Sequence, residues 1–201
     1  MISTFTAFFD ANVFYGARLR SLILFLAQTK LFRARWSDRV HEEWIRNLLE
    51  KRPDLKPADL ERTRRLMDAS VLDAHVTGYE PLIDAMALPD PDDRHVLAAA
   101  VVCKASCIVT FNVADFPPDR LAPYGLHAVH PDDFLLDVES TDPPAFADAV
   151  DRFLAREGLM IDGYLDELAE HSPFRSQGDT NAAGPDGGLR AAPTPPPAPG
   201  C

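Results

Sequence analysis

The stretch Leu88-Pro89-Asp90-Pro91-Asp92-Asp93-Arg94-His95-Val96-Leu97-Ala98-Ala99-Ala100 constrains this chain more than any other: three aspartates fall within four positions and an apolar run follows at once. Carboxylates ahead of an apolar helix can cap it, accepting bonds from its free N–H groups. They can also be gathered to bind a hard cation such as Mg²⁺ or Mn²⁺. Capping accounts for one or two of these acids. Three so close repel one another unless something positive sits between them. The choice between the two readings turns on where the other acids fall.

Phe5-Thr6-Ala7-Phe8-Phe9 is short, apolar and aromatic and reads as a buried strand, with Asp10 directly after it. Asn12 can cap the next helix alone, which leaves Asp10 free for another task. Apolar spacing predicts a helix from Val13 to about Gln28. A second begins at Ser37, with Val40, Trp44 and Leu48 on one stripe and Glu43 at the edge of that face. A third, arginine-rich helix runs from Ala58 to Ser70, and Val71–Val76 reads as a second strand. The acidic stretch leads into a helix ending near Ala105. Cys107-Ile108-Val109-Thr110-Phe111 is a buried strand, followed by Asn112 and Asp115, and Leu126–Val129 reads as a last strand. Pro131-Asp132-Asp133 opens a helix, and helices are expected over Pro143–Ala155 and Leu159–His171. Beyond Ser172 the chain is Gly, Pro, Ala, Asp and Thr, a composition that cannot bury a core. The expected organisation is an α/β domain over 1–135, a helical extension over 136–172, and a disordered Pro/Gly/Ala-rich tail over 173–201. The order of elements suggests a three-layer α/β/α sandwich around a central parallel sheet.

Charge is uneven. Residues 1–66 hold 13 Lys and Arg against 8 Asp and Glu, net +5, while the remaining 135 residues hold 7 against 23, net −16. A basic half beside an acidic half fits a phosphate-facing surface near a carboxylate cluster. Three cysteines make no disulfide framework, and Cys103 and Cys107 have no second pair to complete a zinc site. They read as small buried residues in a reducing, cytoplasmic setting. No apolar run is long enough for a membrane span, and the N-terminus lacks the features of a signal peptide.

Parallel strands put their carboxyl ends on one edge of the sheet. Asp10, Asp93 and Asp115 should therefore converge there, and Glu43 reaches them if the second helix packs beside the first strand. Four such acids in apolar surroundings need a counter-cation. Mg²⁺ or Mn²⁺ would serve, stabilising charge on a phosphate and positioning water for in-line attack. Arg18, Arg20, Arg39 and Arg94 are candidates to hold flanking phosphates.

Four segments carry a resemblance: Phe8-Phe9-Asp10-Ala11-Asn12-Val13, Glu43-Trp44-Ile45, Asp90 to Ala100, and Val109-Thr110-Phe111-Asn112-Val113-Ala114-Asp115-Phe116. In this order and spacing, over roughly residues 5–135, the chain resembles a PIN domain, specifically the VapC-like toxin ribonucleases of bacterial toxin–antitoxin pairs. The resemblance implies that Asp10, Glu43, Asp93 and Asp115 are the catalytic acids. It implies metal ligands Asp10, Asp93 and Asp115, with Asp90 supporting or alternative, and a supporting role for Asn12 and Asn112. It further implies Mg²⁺- or Mn²⁺-dependent endonucleolytic cleavage of RNA, leaving a 5′-phosphate and a 3′-hydroxyl. A homodimer and a cognate antitoxin that can block the pocket with an arginine are implied as well.

Two other classes compete. A haloacid-dehalogenase-type phosphatase needs a second Asp two residues after the first, where this chain has Asn12, and no lysine motif compensates. A non-catalytic PIN-like module binding RNA or protein would lack some acids, yet all four positions are filled.

Overall fold

Four short runs become strands here, the two central ones because both of their faces are buried. In the computed structural model, which describes residues 5–158, they are β1 (Thr6–Phe9), β2 (Arg33–Arg35), β3 (Cys107–Val109) and β4 (His127–Val129). All pair in parallel, in the order β2-β1-β3-β4. Phe8 sits opposite Arg35 on one side and Ile108 on the other, and Val109 lies opposite Phe9. The expected helix over Leu159–His171 and the tail over 173–201 lie outside the described residues.

The second strand differs from expectation. It is Arg33–Arg35, an edge strand in which only Ala34 is fully buried. Val71–Val76 contributes a single parallel bridge, His75 to Trp36. Its apolar residues Val71, Ala74 and Val76 are buried because they plug the core beside that edge, and Asp73 at φ 60° breaks the extended path between them. Charged side chains on a short edge strand also discourage pairing with another chain.

The predicted Val13–Gln28 helix is split. A 3₁₀ turn over Ala11–Phe14 comes first, and α1 (Ala17–Gln28) starts after Gly16. The chain then passes through β2 into α2 (Asp38–Lys51), capped by Ser37, and α3 (Pro57–Ser70). It returns through α4 (Arg94–Val102) to β3. The connection from β1 to β2 and the return to β3 run in opposite directions across the sheet. Right-handed crossovers therefore place α1 and α4 on opposite faces, which makes the three-layer α/β/α sandwich. α4 packs on β1 and β3.

After the short α5 (Pro118–Leu121) and β4, α6 (Pro131–Thr141) and α7 (Pro143–Glu157) close the α1 side. Phe134 of α6 meets Phe9 and Phe32 edge-on, with ring centroids 5.4 and 4.9 Å apart, and Phe153 of α7 lies 5.7 Å from Phe25 of α1. Position 136 thus falls inside α6. Cys103 and Cys107 are free thiols that burial pushes up to about 11 and about 12, as inert packing residues should be. Among the described residues no helix is long and apolar enough to cross a membrane.

Candidate active site

β1 and β3 are neighbours whose following connections leave on different sides, so the crevice beyond their carboxyl ends is the switch point of the sheet. The ladder carries one residue past β1: the Asp10 amide donates to the Val109 carbonyl at 3.0 Å. Asp10 is thereby fixed in the crevice, almost fully buried. Its Oδ1 accepts from the Ala11 amide at 2.6 Å, and its Oδ2 accepts from Asn12 Nδ2 and the Thr110 hydroxyl, each at 2.7 Å. Asp10, not Asn12, caps the following turn. Asn12 bridges the two strand ends instead, with Nδ2 also donating to Thr110 Oγ1 at 2.9 Å and Oδ1 accepting from the Phe111 amide at 3.1 Å. Burial raises the Asp10 carboxyl to about 6, against the pull of the Thr110 hydrogen bond, and the negative Glu43 adds to the rise.

Asp93 ends a 3₁₀ turn over Pro91–Asp93 and stands at the N-terminus of α4, yet its side chain makes no capping bond. Asp90 caps locally, accepting from the Asp92 amide at 2.8 Å. Burial raises Asp93 to about 7, with repulsion from Asp10, Asp90, Asp115 and Glu43 adding to it. Asp115 ends the 3₁₀ turn Val113–Asp115 that follows β3.

Glu43 is held from below. Trp36 Nε1 donates to Asp68 Oδ1 at 2.8 Å, and Trp44 Nε1 donates to His41 Nδ1 at 2.9 Å, so His41 Nε2 carries the proton it shares with the same Asp68 oxygen at 3.0 Å. This buried chain locks α2 against α3 and β2 and fixes the face that carries Glu43. Burial lowers the His41 pKa, which keeps the ring neutral. Glu43 Oε2 itself lies 3.3 Å from Nε2 of the buried His95.

These acids open on one cavity of about 460 Å³. Asp10, Glu43, Asp90, Asp93, Asp115, Asn12 and Asn112 all line it. Arg18 and Arg94 are not among the described residues that do. Arg20 is spoken for: its guanidinium donates to the Phe14 carbonyl and lies 5.2 Å from the Trp44 ring, and burial lowers it to about 10. The cations at the rim are Arg39, Arg46 and Lys51, all from α2. Tyr15, Asn47 and His95 also line the cavity, and Thr110 supports its floor. Sequence spacing held a signal for several of these. Arg39, Arg46 and Asn47 are four before, three after and four after Glu43, hence on its face. Thr110 follows β3 as Asp10 follows β1.

The donor set is all oxygen and acidic, which suits a hard divalent cation rather than a soft one. Among the described residues, no three His, Cys, Asp or Glu side chains stand close enough to share one ion as they lie.

A three-layer sandwich around a parallel sheet, with an acidic cavity at its switch point, defines an α/β protein of the doubly wound kind. Its family is more specific: the PIN domain model matches residues 6–114, more than half of the chain, and the chain belongs to the PIN domain family. It is also similar to the Mycobacterium tuberculosis protein named "Putative ribonuclease VapC50", at 56% identity over 64 residues, 32% of this chain. The match spans 37% of that relative's length. No solved structure matches the chain.

Proposed function

We propose that this chain is a divalent-metal-dependent endoribonuclease, the toxin of a toxin–antitoxin pair, with Mg²⁺ or Mn²⁺ as its cofactor. One observation carries the reading: carboxylates from four separate segments meet at the switch point, and burial with mutual repulsion raises Asp93 to about 7. That arrangement is costly without a positive partner and useful with one. Asp10, Asp93 and Asp115 would hold the cation, with Asp90 at the rim. The side chains have to move inward to share it. When bound, a divalent cation supplies charge to the reacting phosphate and acidity to the attacking water.

Asp10 is pinned by its three donors and supplies the fixed point. Glu43, oriented by His95, is the carboxylate placed to accept a proton from that water. Arg39, Arg46 and Lys51 hold the phosphates on either side, and the strand is cut to a 5′-phosphate and a 3′-hydroxyl. The relative's name as a ribonuclease supports RNA as substrate. A homodimer, a cognate antitoxin that covers the acidic cavity, and a cytoplasmic location belong to the same reading.

The test is cleavage of total RNA by the purified full chain with Mg²⁺, Mn²⁺ or EDTA, beside Asp10→Asn and Asp93→Asn. Metal-dependent cutting that both variants lose is the expected result. A folded wild type that cuts under no metal leaves a non-catalytic PIN-like binding module. Cutting that survives both substitutions places the chemistry elsewhere.

A further inference from the structure

Two neutral polar residues of the acidic cavity, Tyr15 and Asn47, take no part in the reaction proposed above. Asn47 lies on α2 between Arg46 and Lys51, four residues after Glu43 and so on its face. Tyr15 closes the 3₁₀ turn that follows β1, and its amide donates to the Asn12 carbonyl at 3.4 Å. The turn thus ties Tyr15 to the same Asn12 that bridges the strand ends. α2 brings Asn47 onto it, and Asn47 Nδ2 donates to the Tyr15 hydroxyl at 2.6 Å.

The ring and the hydroxyl of Tyr15 have different surroundings. The Lys51 ammonium stands 5.3 Å from the ring centroid and covers one face against a stacking base. Burial raises the phenol pKa against the pull of the Asn47 bond, and the negative Glu43 and Asp10 add to the rise. The hydroxyl therefore keeps its proton and lies within reach of the catalytic acids' charge. Among the described residues nothing accepts that proton, and nothing donates to Asn47 Oδ1. The half-buried pair offers one donor and one acceptor to whatever enters the cavity.

Spacing on α2 indicates what enters. Arg46 and Lys51, both exposed, are five residues apart, about 7.5 Å along the helix axis. In the proposed reaction they hold neighbouring phosphates, and what lies between neighbouring phosphates of a nucleic-acid strand is a sugar. A ribose carries a 2′-hydroxyl there, donor and acceptor at once, and a deoxyribose carries neither.

We infer that the Tyr15–Asn47 pair reads the 2′-hydroxyl of one nucleotide beside the cut, Tyr15 donating to its oxygen and Asn47 Oδ1 accepting its proton, and so selects RNA over DNA. The inference rests on the nuclease reading given above and assigns the pair a part in choosing the substrate.

The test is a cycle between one group on the enzyme and one on the substrate. An oligoribonucleotide that the wild type cuts is prepared with a single 2′-deoxyribose at each position around the cut in turn. Its kcat/KM is measured with Mg²⁺ for wild type, Tyr15→Phe and Asn47→Ala. At one position the deoxy sugar should cost the wild type roughly tenfold and each variant at most about twofold. Tyr15→Phe keeps the ring under Lys51, and a merely structural effect would slow every substrate alike and leave the penalty unchanged. An equal penalty in the wild type and both variants, or no position with a penalty, would overturn the inference and leave the nuclease reading standing. A wild type that cuts no RNA with Mg²⁺ or Mn²⁺ removes the nuclease reading and this inference with it.

Discussion

Replacing Asp93 by Asn should make the metal-free protein more stable while removing the proposed nuclease activity. Asp93 titrates near 3.8 as an ordinary carboxylate and at about 7 in the fold. The folded state therefore holds the extra proton between those values. Stability falls as pH rises across that interval, and the whole penalty is present above pH 7. At roughly 1.36 kcal/mol per unit the shift amounts to about 4 kcal/mol. Asp93 is partly open to water, and screening takes away about half, leaving about 2 kcal/mol. For a domain of this size that is a rise in Tm of about 4–8 °C. The assay is thermal or urea unfolding of wild type and Asp93→Asn in EDTA, at pH 8 and again at pH 4.5. The variant should lead clearly at pH 8 and hardly at all at pH 4.5, where the wild-type carboxyl is already protonated. Adding Mg²⁺ at pH 8 should stabilise the wild type more than the variant, since a bound cation relieves the same repulsion. Equal stability in EDTA at pH 8, or a less stable variant, would refute the idea that these carboxylates oppose one another in the fold.

Thr110→Val removes the hydroxyl that donates to Asp10 and accepts from the Asn112 amide; we expect a loss of about 1–3 kcal/mol in urea unfolding, and no loss would mean the hydrogen-bond web is ornamental. Phe134→Ala empties the space among Phe5, Phe9 and Phe32 and should cost about 3–5 kcal/mol, read as a lower urea midpoint at unchanged slope. Arg46→Ala with Lys51→Ala should raise KM for RNA roughly tenfold, flatten its salt dependence and leave kcat alone. A fall in kcat at constant KM would place these cations at the reacting phosphate instead.

Sequence alone exposed the strands that are buried on both faces, because Phe8-Phe9 and Cys107-Ile108-Val109 admit no other use. Each has a polar residue as its next neighbour, so the acids of the site could be found as punctuation after apolar runs. β2 escaped for the opposite reason. An edge strand of three residues needs only one buried side chain, Ala34, and Arg-Ala-Arg carries too little pattern to compete with the apolar Val71–Val76. The reach of Arg18 and Arg20 depends on helix phase. Treating Val13–Gln28 as one helix fixes the direction in which Arg18 and Arg20 point, but the 3₁₀ turn and Gly16 reset that phase before α1 begins. α2 has no such break, and its periodicity from Glu43 leads to Arg39 and Arg46, which line the cavity.

The acids do not make the site by themselves; the register of β1 against β3 does. Phe9 opposite Val109 sets Asp10 beside Thr110, and only then can Asn12 span from Asp10 to the Phe111 amide. Those bonds lower the Asp10 carboxyl against burial, which on balance still raises it to about 6. A slip of one residue would turn Phe9 toward the other face and carry Asp10 off its donors at a stroke. The aromatic cluster of Phe9, Phe32 and Phe134 opposes that slip, since turning Phe9 to the other face would take it off both partner rings. Packing on the far side of the sheet end is thus what keeps a buried carboxylate ionisable in the crevice, and core stability and site chemistry are fixed by the same few strand residues.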